Sequence, residues 1–503
     1  MTVSSADSLV SLVNACLMPA YDGRTPPDWI KRALDRGLAG VGLFGTNLLP
    51  AGGPLREDIV DPLRAVRPDA LIALDEEGGD VTRLDYHRGS IYPGNHALGA
   101  VDDTALTRQV AEAIADDLLA TGINLCLGPC ADVNSRPANP IIGVRSFGAT
   151  PDLVARHTRA FVEGLQGRGV AATLKHFPGH GDTGTDSHDW LPDIPRSLDA
   201  LRVQELPPFA AGGTAGAKAV MTGHIRLPQL DDLPATLSRR VVTGLLREEL
   251  GYDGVVISDA LEMAPVRDRW GFGGAAVLAW TAGVDLVLLG ATDGEKLLPE
   301  VYDAVERALL VGELTVDRLE EAAARIAALR AWATPATTPP PRPPAVEGIG
   351  LAAARRALAG VALPALPLAG PAHVLRLGAG TNMAVGEAPW GLAPSLERLG
   401  RLASATEVEP GTDPDRIPLP DGDGAGSASL VVVVRDAVRD PWQQEVLAAL
   451  RARRPGLITV EMGLTPVPPP EHPTLLTRGA GLANAMAAAE ALTGHPCTTP
   501  LRT

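Results

Sequence analysis

The chain is 503 residues long with 45% hydrophobic and 21% charged residues, an ordinary globular composition spread over more length than one hydrophobic core organises. Two or three domains are expected. A formal net charge of −16 leaves no broad basic face, and four cysteines (Cys16, Cys126, Cys130, Cys497) without C-x-x-C spacing are too few for a disulfide framework, which argues against nucleic acid, anionic membrane surfaces and an oxidising compartment.

In chain order, residues 1–23 contain no lysine or arginine and no sustained apolar run, so they do not read as a signal peptide. No stretch reaches the ~20 apolar residues of a membrane span. A cytoplasmic location is expected. Short apolar runs then recur between helical patterns: VNACLMPA (13–20), GVGLFG (40–45), LIALD (71–75), INLCLGP (123–129), VAATLKHF (170–177), AKAVMTGH (217–224), GVVISD (254–259) and DLVLLG (285–290). Such runs read as strands buried on both faces of a parallel sheet, and intervening stretches such as 105–120 and 316–330 read as helices. The alternation points to a parallel α/β domain. Periodicity alone does not separate a closed barrel from an open doubly wound sheet. The placement of polar residues favours the barrel: Asp75, Asp132, Lys175 with His176, His224 and Asp259 each stand at or after the end of an apolar run, where a (β/α)8 barrel gathers its functional groups.

The barrel expected over residues 1–333 ends at a proline-rich segment, 334–346 (TPATTPPPRPPAV), which favours an extended spacer. A proline-rich loop inside one domain is the alternative. Residues 347–503 hold apolar runs at 372–378, 430–434 and 457–463 and an amphipathic stretch at 442–453, the pattern of a smaller three-layer α/β/α sandwich. Nothing there reads as catalytic. The acidic, turn-rich segment 410–427 reads as a solvated loop, with a loop over an active site as the alternative.

The densest chemistry lies at 174–191, where Lys175, His176, His180, Asp182, Asp186, His188 and Asp189 fall in one run broken by glycines and a proline. The motif KHFPGHGDTGTDSH (175–188), together with LDEEGGDVTRL (74–84), NPIIGVRSFG (139–148), VMTGHIRLP (220–228) and GVVISDALEM (254–263), resembles family 3 glycoside hydrolases, specifically the bacterial β-N-acetylglucosaminidase branch of two-domain type. The resemblance covers the region before the proline-rich segment and, more thinly, the domain after it. It implies that Asp259 is the nucleophile forming a covalent glycosyl-enzyme intermediate. Asp186 and His188 correspond to a dyad whose histidine is general acid and base. Asp75, Arg83, Arg145, Lys175 and His176 match contacts to the terminal sugar, and His224 is a looser match near it. No cofactor is implied. One departure is Asp80, which stands where the family's EGG segment commonly continues with arginine.

The residue types suit these roles. Retaining glycoside hydrolysis needs an anionic nucleophile at the anomeric carbon and a proton donor that later serves as base toward water. A carboxylate at a strand end has a fixed direction, and a histidine with its pKa near ~6.5 holds both protonation states near neutrality, where a carboxyl would need burial to do so. Asp186, two residues before His188, could orient the imidazole as a triad aspartate does. Taken singly, an aspartate after a strand is more often a helix cap, and Arg83 and Arg145 more often structural ion-pair partners. His180 and Asp182 read as hydrogen-bonding the loop to itself.

These readings combine into a cofactor-free, metal-free, retaining exo-β-N-acetylglucosaminidase that releases terminal β-linked GlcNAc from a soluble carbohydrate substrate, as a monomer or homodimer. A β-N-acetylglucosaminide or β-glucoside phosphorylase of the same family is the nearer alternative, since a histidine base tolerates phosphate. From other classes, a zinc-dependent hydrolase would use His176, His180 and the nearby aspartates, although FPG between the two histidines forbids the helix that would align them. A non-catalytic sugar-binding protein would not require Asp186, His188 and Asp259 together. Peptidoglycan-derived fragments, chitin oligosaccharides and biosynthetic intermediates remain open as substrates.

Overall fold

The eight apolar runs form eight short strands: β1 (Leu17–Pro19), β2 (Gly40–Leu43), β3 (Leu71–Leu74), β4 (Leu125–Cys126), β5 (Ala171–Phe177), β6 (Ala219–Thr222), β7 (Val255–Ser258) and β8 (Val287–Leu289). The structure is a computed structural model that describes residues 6–48, 55–184, 191–290, 294–334, 348–364, 366–380, 384–386, 388–420, 429–466 and 470–498. Every residue of the eight strands is buried, as strands enclosed on both faces require. Strands β2 to β7 pair in chain order, β8 pairs with β1, and single parallel bridges at Ala20–Gly42 and Ile257–Leu286 complete the ring. All these pairings are parallel, and helices such as Thr104–Ala120, Pro151–Arg168 and Leu206–Thr214 connect them, which is a TIM-type (β/α)8 barrel. At Gly40 a side chain is impossible, because a Cβ would lie 2.2 Å from the carbonyl oxygen of Leu71 on β3.

The end of the ring opposite the polar residues is tied by one buried carboxylate. Asp285, fully buried just before β8, accepts from Arg247 at 2.5 Å, Arg318 at 2.7 Å and Arg325 at 3.4 Å, and from the backbone N–H of Val256 on β7 at 2.9 Å. The arginines come from the helical segment Arg240–Glu249 and from the helix Val316–Ala333, so one charge links two helices to two strands.

By internal contacts the chain divides into two units, the first comprising 1–76, 107–142 and 148–345 and the second 77–106, 143–147 and 346–503. The second unit holds a six-stranded sheet of β9 (Ala359–Val361), β10 (Ala372–Leu377), β11 (Leu402–Val408), β12 (Ser429–Val434), β13 (Ile458–Glu461) and β14 (Thr474–Leu476). Their order is β11-β10-β12-β13-β14-β9, parallel except for β9. Alternate residues of the single run on β12 enter different cores. Val431 and Val433 pack with Ala485, Ala488 and Leu492 of the helix Leu482–Thr493, whereas Val432 and Val434 pack with Val446, Leu447 and Leu450 of the helix Pro441–Arg453. The sheet is therefore covered on both faces, a three-layer sandwich.

The segment 77–106 joins this unit through specific contacts. Asp80, the exchanged charge of the EGGD motif, pairs with Arg435 at 2.6 Å and accepts the N–H of Ala480 at 2.7 Å, while Ala483 N–H donates to the carbonyl of Ser90. Sequence expectation singled out β10, β12 and β13. The strand β11 is mostly exposed along its length, and β9 and β14 are three residues each, so none carries a strong apolar pattern.

Replacing Asp285 by alanine leaves three arginines around a buried hole. The expected loss is about 3–5 kcal/mol of unfolding free energy, measured by denaturant titration, whereas a loss under about 1 kcal/mol would show that the arginines find other partners.

Candidate active site

Four strands deliver polar groups to one rim of the barrel. Asp75 directly follows β3, Lys175 and His176 end the apolar course of β5, His224 lies two residues past β6, and Asp259 directly follows β7. Because the strands are parallel, these positions share the C-terminal end of the ring. Lys175, only 2% exposed, donates from Nζ to Oδ1 of Asp75 at 2.6 Å, an ion pair that fixes both head groups. Asp259 is half-buried. Its N–H donates to the carbonyl of Thr222 at 3.1 Å, and its Oδ1 accepts the N–H of Ala260 at 2.8 Å, which aims the carboxylate from the strand end. His224 is fully buried, with Nε2 3.0 Å from the carbonyl oxygen of Ala260 and Nδ1 2.9 Å from Oγ1 of Thr236. Both ring nitrogens serve the protein, so His224 supports the turn that carries Asp259.

Asp132, a strand-end residue that sequence reasoning noted without giving it a role, organises the next layer. Its carboxylate accepts from the His176 ring (Nδ1 to Oδ2, 2.8 Å), the His176 backbone N–H (3.1 Å to Oδ1) and the His180 backbone N–H (2.7 Å to Oδ1), and the Cys130 thiol lies 3.2 Å from Oδ2. Burial opposes the charged form, but His176 and His180 outweigh it and hold the carboxyl down to about 2. A carboxylate only accepts, so the His176 Nδ1 carries the proton and the ring has one tautomer in its neutral form. The same aspartate thus orients a rim histidine and anchors the loop that follows it. The Lys175–His176 and Phe177–Pro178 peptides are cis.

His180 binds within the loop, as the sequence suggested, whereas Asp182 pairs with a residue beyond it. Nδ1 of His180 lies 2.6 Å from Oγ1 of Thr183, and Asp182 accepts from Arg196 at 2.5 Å. Among the described residues, Cys130, Asp132 and His176 are the one group whose potential metal-ligand atoms lie within 4.8 Å of one another. They are joined by the hydrogen bonds above, while Nδ1 of His180 faces Thr183 and Asp182 faces Arg196. Asp186 and His188 lie outside the described residues.

Arg83 and Arg145 belong to the second unit. Arg145, at the end of the short turn Gly143–Arg145, makes a two-pronged pair with Glu77 at 2.8 and 3.0 Å, both side chains buried. Arg83 is 5% exposed and donates to the carbonyl of Ala384 at 2.8 Å, with its guanidinium 5.8 Å from the centre of the Tyr86 ring. Glu77 was not singled out from the sequence. The signal available was that Glu77 is the acidic residue of EGG itself, in a set of motifs shared with arginines that need balancing when buried.

The fold coincides with that of known proteins. The family described as glycosyl hydrolase family 3 N terminal domain matches residues 31–329. The chain belongs to glycosyl hydrolase family 3. Among relatives, it is 37% identical over 283 residues to beta-hexosaminidase A of Pseudoalteromonas piscicida, covering 52% of this chain and 47% of that one, so it spans about half the length of that relative. It is 39% identical over 273 residues to a beta-hexosaminidase of Stenotrophomonas maltophilia strain R551-3, covering 52% and 78%. Over 97% of both chains it superposes on a family 3 beta-N-acetylglucosaminidase from Paenibacillus sp. str. FPU-7, with a TM-score of 0.85 at 31% identity. Membership of family 3 accounts for the motif order along the barrel. No described helix is long and apolar enough to cross a membrane.

In this family 3 chain, replacing Asp132 by asparagine keeps the volume but removes the charge that fixes His176. The expected outcome is a fall of about 10–100-fold in kcat/KM on a nitrophenyl N-acetyl-β-glucosaminide, with the folded protein retained by circular dichroism. Unchanged kinetics would show that the ring orientation is set elsewhere.

Proposed function

We propose that this chain is a retaining exo-β-N-acetylglucosaminidase acting by double displacement. The observation that carries the proposal is the rim itself, on the barrel of a family whose matched members are named beta-hexosaminidases. There the Asp75–Lys175 pair and a directed Asp259 carboxylate stand at the ends of β3, β5 and β7. Asp259 attacks the anomeric carbon. The bond to the leaving oxygen breaks as His188 gives that oxygen a proton, and the sugar becomes an ester of Asp259. His188, supported by Asp186, then takes a proton from water, whose oxygen attacks the anomeric carbon and frees Asp259. The product keeps the β configuration.

Asp75, Lys175 and His176 are assigned to the hydroxyl groups of the terminal sugar: a carboxylate accepts, an ammonium donates, and a ring of fixed tautomer presents one defined edge. Arg83 and Arg145 are assigned to the sugar on the motif match, and His224 to the support of Asp259. The substrate is a GlcNAc-terminated oligosaccharide or glycoside. None of the four cysteines is in a disulfide and three of them are buried, which supports a reducing, cytoplasmic setting. The protein is assigned to work as a monomer or homodimer.

A panel of nitrophenyl β-glycosides (GlcNAc, glucose, xylose, arabinose), assayed with and without phosphate, tests the proposal. GlcNAc should be preferred and released as the free β-sugar. A sugar 1-phosphate as the main product would make the protein a phosphorylase, and a preference for glucose would overturn the assigned substrate. Asp259→Ala should lower turnover by at least about a thousandfold. His188→Ala should slow substrates with poor leaving groups far more than activated aryl glycosides, because the latter need little protonation. Equal losses on both would remove His188 from the acid role.

A further inference from the structure

Beneath the loop after β5 lies a carboxyl group that the proposed reaction does not use. Glu205 joins the helices Leu198–Gln204 and Leu206–Thr214 and is fully buried. Neither of its carboxyl oxygens has a hydrogen-bond partner among the described residues, and the nearby Ser135 hydroxyl only weakly favours its charged form. The contact with the loop is steric and close. Gly179 has φ +125°, and a Cβ there would lie 2.7 Å from both Cβ and Oε2 of Glu205. Gly179 is therefore required twice, by its backbone conformation and by the carboxyl seated against it.

Among the described residues, the charged groups that act most on Glu205 are two aspartates and one arginine. Asp132 and Ser135 come from the stretch after β4, Asp182 from the loop itself, and Arg196 from the segment entering the helix Leu198–Gln204. Arg196 is already paired with Asp182, and Asp132 is already committed to His176 and His180. An ionised Glu205 would be a third carboxylate with no cation of its own. Burial is the main cause that pushes the group up to about 8, and repulsion from Asp132 and Asp182 adds to it.

We propose that Glu205 is a positioning residue whose uncharged carboxyl seats the loop 178–184 on Asp132, and whose ionisation unseats it. The inference rests on the reading that His176 holds the sugar, because Asp132 ties the His176 ring and the His180 backbone together. Disturbing one end of that tie disturbs the other. A neutral carboxyl fits against the Gly179 backbone without a counter-ion. An anion in the same place draws water and repels Asp132 and Asp182, and the Gly179 turn, packed directly against the carboxyl, is the part that yields. The sign follows from proton binding. Between the ordinary 4.5 and about 8 the folded protein keeps a proton that the unfolded chain has released, so the stability that Glu205 allows is full below 4.5 and lost as the pH rises toward 8.

The test uses the full chain and its Glu205→Gln variant, which keeps size and removes ionisation. Amide hydrogen exchange of residues 178–184, corrected for intrinsic rates, should show protection in the wild type falling at least about tenfold between about pH 7 and pH 9, with no such fall in the variant. On nitrophenyl N-acetyl-β-glucosaminide the variant should retain kcat/KM at neutral pH within about threefold, with its alkaline limb moved up by at least about one pH unit. Identical exchange and rate profiles in both proteins would overturn the proposal. So would flat exchange in the wild type, which needs no variant to fold. If neither protein hydrolyses the glycoside, the proposed function fails, and the exchange arm alone still decides the role of Glu205.

Discussion

A strand buried on both faces has one outlet for polar chemistry, the residue at its end. In this barrel every strand residue is buried, so side chains along the runs are confined to apolar or hydrogen-bonded roles, and charge collects where each run stops. Parallel pairing turns that local rule into a site. The ends of β3, β5, β6 and β7 point the same way, and Asp75, Lys175, His176, His224 and Asp259 share one rim without any sequence proximity. The opposite end follows the same rule with another outcome, since Asp285 at the start of β8 meets three arginines that tie helices to strands.

Charge gathered in this way has to be balanced locally, because an unpaired buried ion is strongly disfavoured. The rim does so in layers. Lys175 balances Asp75, and Asp132 takes hydrogen bonds from His176 on β5 and His180 of the loop after it. Asp132 holds its negative charge against burial because its donors are all in place. Glu205, packed against the same loop and equally buried, meets no such donors among the described residues, and the same physics pushes it up to about 8. Two carboxyl groups in one neighbourhood thus settle in opposite states according to their hydrogen-bond donors.

Much of the barrel was legible in the sequence, because all eight apolar runs became strands and the rim residues stand at or just beyond the ends of recognisable patterns of burial. Asp75 and Asp259 follow strictly from that rule. Lys175 and His176 lie within β5 yet still reach the rim. What was illegible depends on contacts between distant segments. Glu77 and Glu205 are ordinary acidic residues in the sequence, and only the folded chain shows that one balances Arg145 while the other is enclosed under Gly179. The short or exposed strands β9, β11 and β14 gave no periodic signal, and residues 77–106 read as part of the barrel region although they pack with the second unit. Asp186 and His188, the motif's proposed proton-transfer dyad, lie outside the described residues, so their roles rest on the motif alone.

Asp80 shows how one exchanged charge is absorbed by the fold. Its carboxylate is buried, which would be unfavourable alone, but Arg435, just past the end of β12, meets it at 2.6 Å and the Ala480 N–H supplies a second bond at 2.7 Å. Arg435 also stacks over Trp390 at 5.7 Å, with Arg376 4.8 Å from the same ring, so the cation is held in place before the acid meets it. An arginine at position 80 would set two guanidinium groups against each other in that space. The two positions are 355 residues apart, and a change at one is tolerable only with a matching change at the other. The charge in the EGGD motif therefore has its explanation in the sandwich sheet, and the substrate-contact assignment of Arg83, three residues further on, does not depend on it.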